Sequence, residues 1–318
     1  MYPMAEINLE KSIEGAELLI NGHPLVELSP QEMMDLSDEL RAFVMDNAEA
    51  MKETPLRSIS VGEAEFKVDA TDKPEFWHMV NEGLWEPETF EVFDRFIDAD
   101  TVFLDVGAWI GSTALYAAQT AKATHAFEPD PVAFDQLKKN TDANSGENWH
   151  ENISLHPEAV APENGTMTMG SRAEAGDSMS SALLGDNTDA WNVKTTALGD
   201  FLNEKSLKGE KLFLKIDIEG GEYGLIPAIQ DLLKRENCAV YLSLHPEFLL
   251  EHLRSEVSGS LKELKVRRLF WKRHYRLLRS LPFEHVTHTN GKPVNRFKSL
   301  IKALLLGEFT HSIVAWNG

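Results

Sequence analysis

Cysteine is nearly absent: the chain holds one, Cys238, among 318 residues. No intrachain disulfide framework and no cysteine-based zinc site can be built from it. Cys238 sits in the apolar run Cys238-Ala239-Val240-Tyr241-Leu242, which reads as a buried small hydrophobe rather than a nucleophile. Long apolar runs are also missing, with none near the ~18 residues needed to span a bilayer. The first residues, Met1 to Glu6, lack the basic and apolar regions of a signal peptide, so a cytoplasmic protein is expected. Positive charge is in deficit: 31 Lys and Arg stand against 51 Asp and Glu, a net charge of −20. Repulsion of that size argues against a nucleic-acid partner. No internal repeat or low-complexity tract occurs.

Apolar side chains are plentiful. Hydrophobic residues make up 42% of the chain, with sixteen Phe and seven Trp available for a core. Two units are expected, an N-terminal helix and hairpin appendage over residues 1–84 and a main domain over 85–318. In the appendage, Ser29-Pro30-Gln31-Glu32 has the capping-box pattern of a helix running to about Lys52. Residues 58–61 and 64–68 flank Gly62-Glu63 as a hairpin, and 76–80 and 87–97 read as helices.

Beyond residue 101 short apolar runs alternate with helical stretches. Strands are expected at 102–106, 125–127, 153–156, 212–216 and 240–244. Helices are expected at 111–121, 131–143, 221–235 and 247–265. The pattern predicts a doubly wound α/β fold with a mostly parallel sheet covered on both faces. Residues 284–288 and 311–316 are expected to add antiparallel strands at the sheet edge, with a basic helix over about 295–305 between them.

Phe103-Leu104-Asp105-Val106-Gly107-Ala108-Trp109-Ile110-Gly111-Ser112 joins a strand to a helix through a glycine turn. Gly107 lets a ligand approach the backbone and Gly111 lets the helix start pack closely. A dinucleotide fingerprint needs a third glycine, which is missing. Asp105 would repel a pyrophosphate and suits a ligand carrying an ammonium or sulfonium group. Glu128 follows Gly107 by 21 residues, the distance at which a second strand presents an acid to ribose hydroxyls.

Asp105-Val106-Gly107-Ala108-x-x-Gly111, Ala126-Phe127-Glu128-Pro129-Asp130-Pro131, Leu137-x-x-Asn140-x-x-x-Asn144 and Lys215-Ile216-Asp217-Ile218-Glu219-Gly220-x-Glu222 resemble, in order and spacing, the FkbM family of methyltransferases. The resemblance covers about residues 85–316. It implies the class I methyltransferase fold, with seven strands and one antiparallel strand near the edge. It also implies S-adenosyl-L-methionine as cofactor and O-methylation of a sugar or polyketide hydroxyl; the alternative readings are a non-catalytic methyltransferase-like binding module and a nicotinamide-dependent oxidoreductase on a related fold. Trp109 departs from the Asn common in the family, and a bulky indole there would pack over the cofactor or reshape the substrate mouth.

Cofactor contacts are therefore expected from Asp105, Gly107, Ala108, Trp109, Gly111, Ser112, Glu128, Pro129 and Asp217, with Ala159 beside the adenine. A hydroxyl acceptor needs its proton removed. The candidates are Asp217 and His245, which end neighbouring strands. Histidine can act near neutral pH without a large shift. Glu219 and Glu222 are candidate substrate contacts, although Glu222 could instead tie its loop to a helix N-terminus. These acids with His245 could form a hard divalent site, but no ligand-spacing motif is present and no metal is expected. The long polar segment containing residues 176–181 reads as a lid or a surface hairpin.

Lys265, Arg268, Lys272, Arg276 and Arg279 recur at steps of three and four and form one cationic helix face within a basic helical insertion over about 250–282. Leu264, Trp271, Tyr275 and Leu278 form another face. The cationic face is expected to bind an anionic acceptor, through Lys265, Arg268 and Lys272, or an anionic membrane surface, or an acidic partner subunit. Homo-oligomerisation is left open.

Overall fold

The computed structural model describes residues 56–170, 190–295, 299 and 310–317, and the backbone of three short strands, β1 (Leu9–Lys11), β2 (Leu18–Ile20) and β3 (His23–Pro24). The helix expected over 29–52, the segment 176–181 and most of the helix expected over 295–305 lie outside the described residues.

Seven strands form the central sheet. They are β6 (Thr101–Val106), β7 (Ala123–Phe127), β8 (Ile153–His156), β12 (Lys211–Ile216), β13 (Cys238–Ser243), β14 (His285–Thr287) and β15 (Ser312–Trp316). Their order across the sheet is β14-β15-β13-β12-β6-β7-β8. β6 pairs in parallel with both β7 and β12, and β12 with β13. β15 is antiparallel to both neighbours, so the antiparallel strand lies one place in from the edge rather than on it. This is the class I methyltransferase topology, and the order reverses beside β6, where open α/β sheets bind ligands.

Both sheet faces are covered, which is why the central strands are apolar without alternation: all six residues of β6 are buried. One face packs on α5 (Leu198–Glu204), α6 (Glu222–Ala228), α7 (Gln230–Leu233), α8 (Pro246–Glu256) and α9 (Lys262–Ser280). Cys238 is buried on this side, and burial pushes its thiol up to about 12. The other face packs on the hairpin β4 (Leu56–Val61) and β5 (Ala64–Asp69), on α1 (Pro74–Asn81) and α2 (Pro87–Phe96), and on α3 (Ser112–Ala118). Phe66 and Trp77 there share one apolar cluster with Ile110, Leu115 and Phe213. The described part of the expected appendage thus shares its core with the sheet.

Helix α4 (Pro131–Asp142) starts where Asp130 accepts N–H bonds from Val132 and Ala133 ahead of Pro131, which needs no donor partner. Its two asparagines act as ties. Asn140 accepts from the Asp69 N–H and donates to the Ile110 carbonyl, while Asn144 holds both backbone groups of Lys67. The hairpin, α4 and the glycine turn are locked together by these bonds.

Two expectations change. Residues 247–265 are not one helix: the chain leaves α8 at Val257, passes Gly259 (φ 86°) and Leu261 (φ 62°), and begins α9. The segment after β8 is also not all loop. β9 (Glu158–Ala161), β10 (Gly165–Met169) and β11 (Trp191–Ala197) form a small separate sheet.

His125 and His156 face each other across β7 and β8, with Nδ1 and Nε2 3.2 Å apart and both rings against Phe201. Burial pushes each imidazole down to about 4. The unfolded chain, near 6.5, then takes up protons that the fold excludes. Their contribution is complete above about pH 6.5 and is lost as pH falls toward 4. Acidification from about pH 7 to 5 should lower the melting temperature of the wild type, and lower that of His125→Asn/His156→Asn by at least roughly 2 °C less. Equal losses in calorimetry would show that the pair is not the acid-sensitive element.

Candidate active site

The carboxyl ends of β6, β7, β12 and β13 converge on a cavity of about 280 Å³, near the lower end of the ~300–1,000 Å³ common for ligand sites. Gly107, at φ 87°, begins its floor. A Cβ on Gly107 would stand 1.9 Å from the Asp217 carbonyl oxygen, so only glycine lets the ends of β6 and β12 approach this closely. Gly111, at φ 101°, lies under Leu137 of α4, whose Cδ1 would be 2.6 Å from an added Cβ. Gly111 thus permits close packing without lining the cavity, whereas Ala108 and Ser112 do line it.

Lys215 joins the strand ends. Its Nζ donates to Asp105 Oδ1 (3.1 Å) and to the Gly107 carbonyl (2.9 Å), and lies 3.5 Å from Asp217 Oδ2. Burial opposes its charge, but Asp105 and Asp217 overcome that and hold the ammonium above its ordinary range. Asp105 is fully buried and also accepts from Thr113 Oγ1 at 2.7 Å. It does not line the cavity, and it is paired with Lys215. In the sequence Lys215 stands only as part of the Lys215–Glu222 motif, and the available signal for this role was a lysine inside the apolar run of β12.

Glu128 and Pro129, after β7, do line the cavity. The Glu128 carboxylate accepts from the Trp109 N–H and from the Asp130 N–H, each at 2.8 Å. Burial raises it to about 7 despite these two donors. Trp109, at φ 49°, sets its ring 4.7 Å from that of Phe76, edge to face, and Phe76 meets Trp85 in the same way. The three rings make an aromatic wall contributed largely by α1 and the turn after it. Glu86 extends the wall, at φ 42°, and burial followed by the charge of Asp217 raises its carboxyl. Phe76, Met79, Trp85, Glu86 and Met169 all lay outside the expected site. Ala159 does not reach the cavity. It packs in the small sheet against Met169, which does.

His245 ends the chain segment after β13. Its Nε2 is 3.5 Å from Asp217 Oδ1 and 3.5 Å from Glu219 Oε2, and its Nδ1 is 3.6 Å from Glu222 Oε1, all ion-pair distances. Burial would lower this imidazole, but Glu222, Asp217 and Glu219 together hold it at about 9. The three acids thus favour its protonated form. Glu222 is fully buried and accepts from the Gly220 N–H (2.8 Å) and the His245 N–H (2.6 Å). It ties its own turn to the start of α8 and is not placed to touch a substrate. Asp217, Glu219 and His245 each offer an atom within 4.8 Å of the others, the one such group among the described residues. The donor set would suit a divalent cation. Lys265, Arg268 and Lys272 are exposed on α9 and do not line the cavity.

The family described as the Methyltransferase FkbM domain matches residues 105–277. The chain belongs to that family. Hexuronic acid methyltransferase AglP of Haloferax volcanii is 24% identical over 210 residues, covering 63% of this chain and 79% of that protein. Among solved structures, Methyltransferase FkbM from Methylobacillus flagellatus KT aligns at 14% identity over 54% of this chain, with a TM-score of 0.35. The chain spans 43% of the length of that structure. The plantazolicin methyltransferase BpumL, solved in complex with SAH, aligns at 14% identity over 78% of this chain and 92% of its own, with a TM-score of 0.29.

Lys215→Met should destabilise this FkbM-domain protein by about 3–5 kcal/mol, because it leaves Asp105 buried and uncompensated. Adding Asp105→Asn should recover part of that loss. Denaturant unfolding of the two single variants and the double variant measures the coupling, and additive losses would show that the two groups do not support each other.

Proposed function

We propose that this chain transfers a methyl group from S-adenosyl-L-methionine to a hydroxyl oxygen of a sugar-like acceptor. The observation that carries this reading is the charge of the cavity. Glu86, Glu128, Asp217 and Glu219 line it, while Lys215 is already committed to Asp105. Such walls favour a cationic nucleoside and disfavour a pyrophosphate. Family membership and the relative named as a hexuronic acid methyltransferase support the donor and the acceptor class.

When bound, the donor supplies a methyl group on a positively charged sulfur. The chain's residues do the rest. Glu128, just past β7, would accept hydrogen bonds from the donor's ribose hydroxyls, and the Gly107–Trp109 turn would line its seat. The Trp85 and Trp109 rings offer faces for a sugar ring. Asp217, Glu219 and His245 meet the acceptor hydroxyl, and alignment of the reacting atoms supplies most of the acceleration. His245 accepts the hydroxyl proton at Nε2 once it is neutral. A cation in the cavity lowers the affinity of His245 for its proton, so donor binding readies the base.

Two measurements follow from this. At about pH 8.5, above the range in which Glu128 titrates, calorimetry in buffers of different ionisation heat should show a fraction of a proton released on S-adenosylmethionine binding. His245→Gln should release none, and equal release by both proteins would remove His245 from the mechanism. Glu128→Gln should weaken donor binding about 10–100-fold, while NAD should bind neither protein. Turnover on a panel of neutral hexosides and hexuronosides, with and without a chelator, tests the acceptor. Donor binding without turnover on any sugar would reject the sugar reading. Turnover that requires a divalent ion would move Asp217, Glu219 and His245 from proton handling to metal ligation.

A further inference from the structure

Six large hydrophobic side chains are exposed among the described residues, and four of them, Leu261, Leu264, Leu269 and Trp271, lie in one short stretch at the head of α9. Leu261 is 70% exposed and Leu264 63%. Leu264 and Trp271 belong to the face expected from sequence to be apolar, yet the buried face is a different one, formed by Val266, Phe270, His274, Leu277 and Leu278. That face packs against α6 and α8.

The outer face is also basic. α9 carries eight Lys and Arg against one Glu, in a chain of net charge −20. Among the described residues no carboxylate lies within ion-pair distance of Lys265, Arg268, Lys272 or Arg276. At 3.6 residues per turn these four cations, Leu261, Leu264 and Trp271 fall within an arc of roughly 140°. Trp271 stacks on Tyr275, centroids 5.3 Å apart and planes 4° apart, and Arg279 lies over Tyr275. The result is a fixed aromatic pair flanked by cations and leucines on a helix whose opposite side is anchored in the core.

We propose that the outer face of α9 docks the protein on an anionic lipid bilayer. Cations alone would fit any polyanion. The leucines and Trp271 decide the class, because only a bilayer offers both anionic headgroups and an apolar layer within a few ångströms. Trp at that depth is the usual interfacial anchor. The acidic remainder of the chain is repelled by the same surface, which orients the helix toward it. On the inner side of α9, His274 Nδ1 lies 3.2 Å from the Tyr223 hydroxyl of α6, which helps anchor the helix.

Co-sedimentation of the full chain with vesicles tests this. Binding to vesicles containing phosphatidylglycerol should be at least about tenfold tighter than to phosphatidylcholine alone, and should weaken as salt is raised. Arg268→Glu/Lys272→Glu/Arg276→Glu should lose at least about tenfold. Leu264→Ser/Trp271→Ser should also lose binding, with unchanged melting temperature and unchanged S-adenosylmethionine affinity. Failure to bind anionic vesicles overturns the proposal. So does a loss confined to the charge variant, which would mark a site for soluble polyanions. So does concentration-dependent self-association abolished by Trp271→Ser, which would mark an interface between copies. Vesicle binding without methyl-donor binding would overturn the proposed function and leave this inference standing.

Discussion

The buried ammonium of Lys215 holds the site together. It reaches across from β12 to Asp105 on β6, to the Gly107 carbonyl just beyond β6, and toward Asp217 at its own strand end. Two parallel strands would otherwise present their carboxyl ends as separate loops. The cation draws them together until the Gly107 α-carbon sits against the Asp217 carbonyl, a contact no larger residue could make. A buried charge is costly unless paired, and here the pair is completed by Thr113, so removing one member exposes the cost of the other. The geometry of the turn, the aim of Asp217 and the closeness of the two strand ends are consequences of one interaction.

That arrangement leaves the cavity with an imbalance. Lys215 is neutralised before it can serve a ligand, and His245 is shared among three carboxylates. Burial raises the remaining acids: Glu86, with the charge of Asp217 adding to it, and Glu128, to about 7. Raised acids of this kind gain when a cation enters the cavity. Backbone strain gathers in the same place. Three of the five non-glycine residues with positive φ among the described residues, Glu86, Trp109 and Glu219, line it. Each costs about 1–3 kcal/mol, which the surrounding packing must offset.

Much of the sheet was legible in the sequence because parallel strands buried on both faces leave continuous apolar runs, and because Gly107 and Asp130 obey strict local rules. Partners across the fold were harder to see. Asp105 reads as a ligand group until Lys215, 110 residues later, is found bonded to it. Glu222 carries the same ambiguity, and only its two backbone donors show that it clamps His245. Glu86 has no local signal beyond Pro87, since its place depends on how α1 and α2 lean over the sheet. His245 was identified by position, but its charge state depends on three acids that the one turn between β12 and α6 brings to it. Local rules disclose the backbone, while pairings between distant residues set the chemistry.

Trp109 shows how the two levels meet. Its N–H must point at Glu128 to complete the acid's second hydrogen bond, and that requirement fixes its left-handed backbone. With the backbone so set, the indole packs edge to face against Phe76 of α1. A smaller polar residue could make the same backbone bond without touching α1. The tryptophan therefore couples the ligand turn to the helical cover, so that any shift of α1 is felt at Glu128. In turn, α1 is held by the hairpin it shares a core with, and the hairpin by Asn140 and Asn144 of α4, which begins two residues after Glu128 at the Asp130 cap. The ring of contacts closes on itself, which is why a cavity with this much uncompensated negative charge can keep its shape.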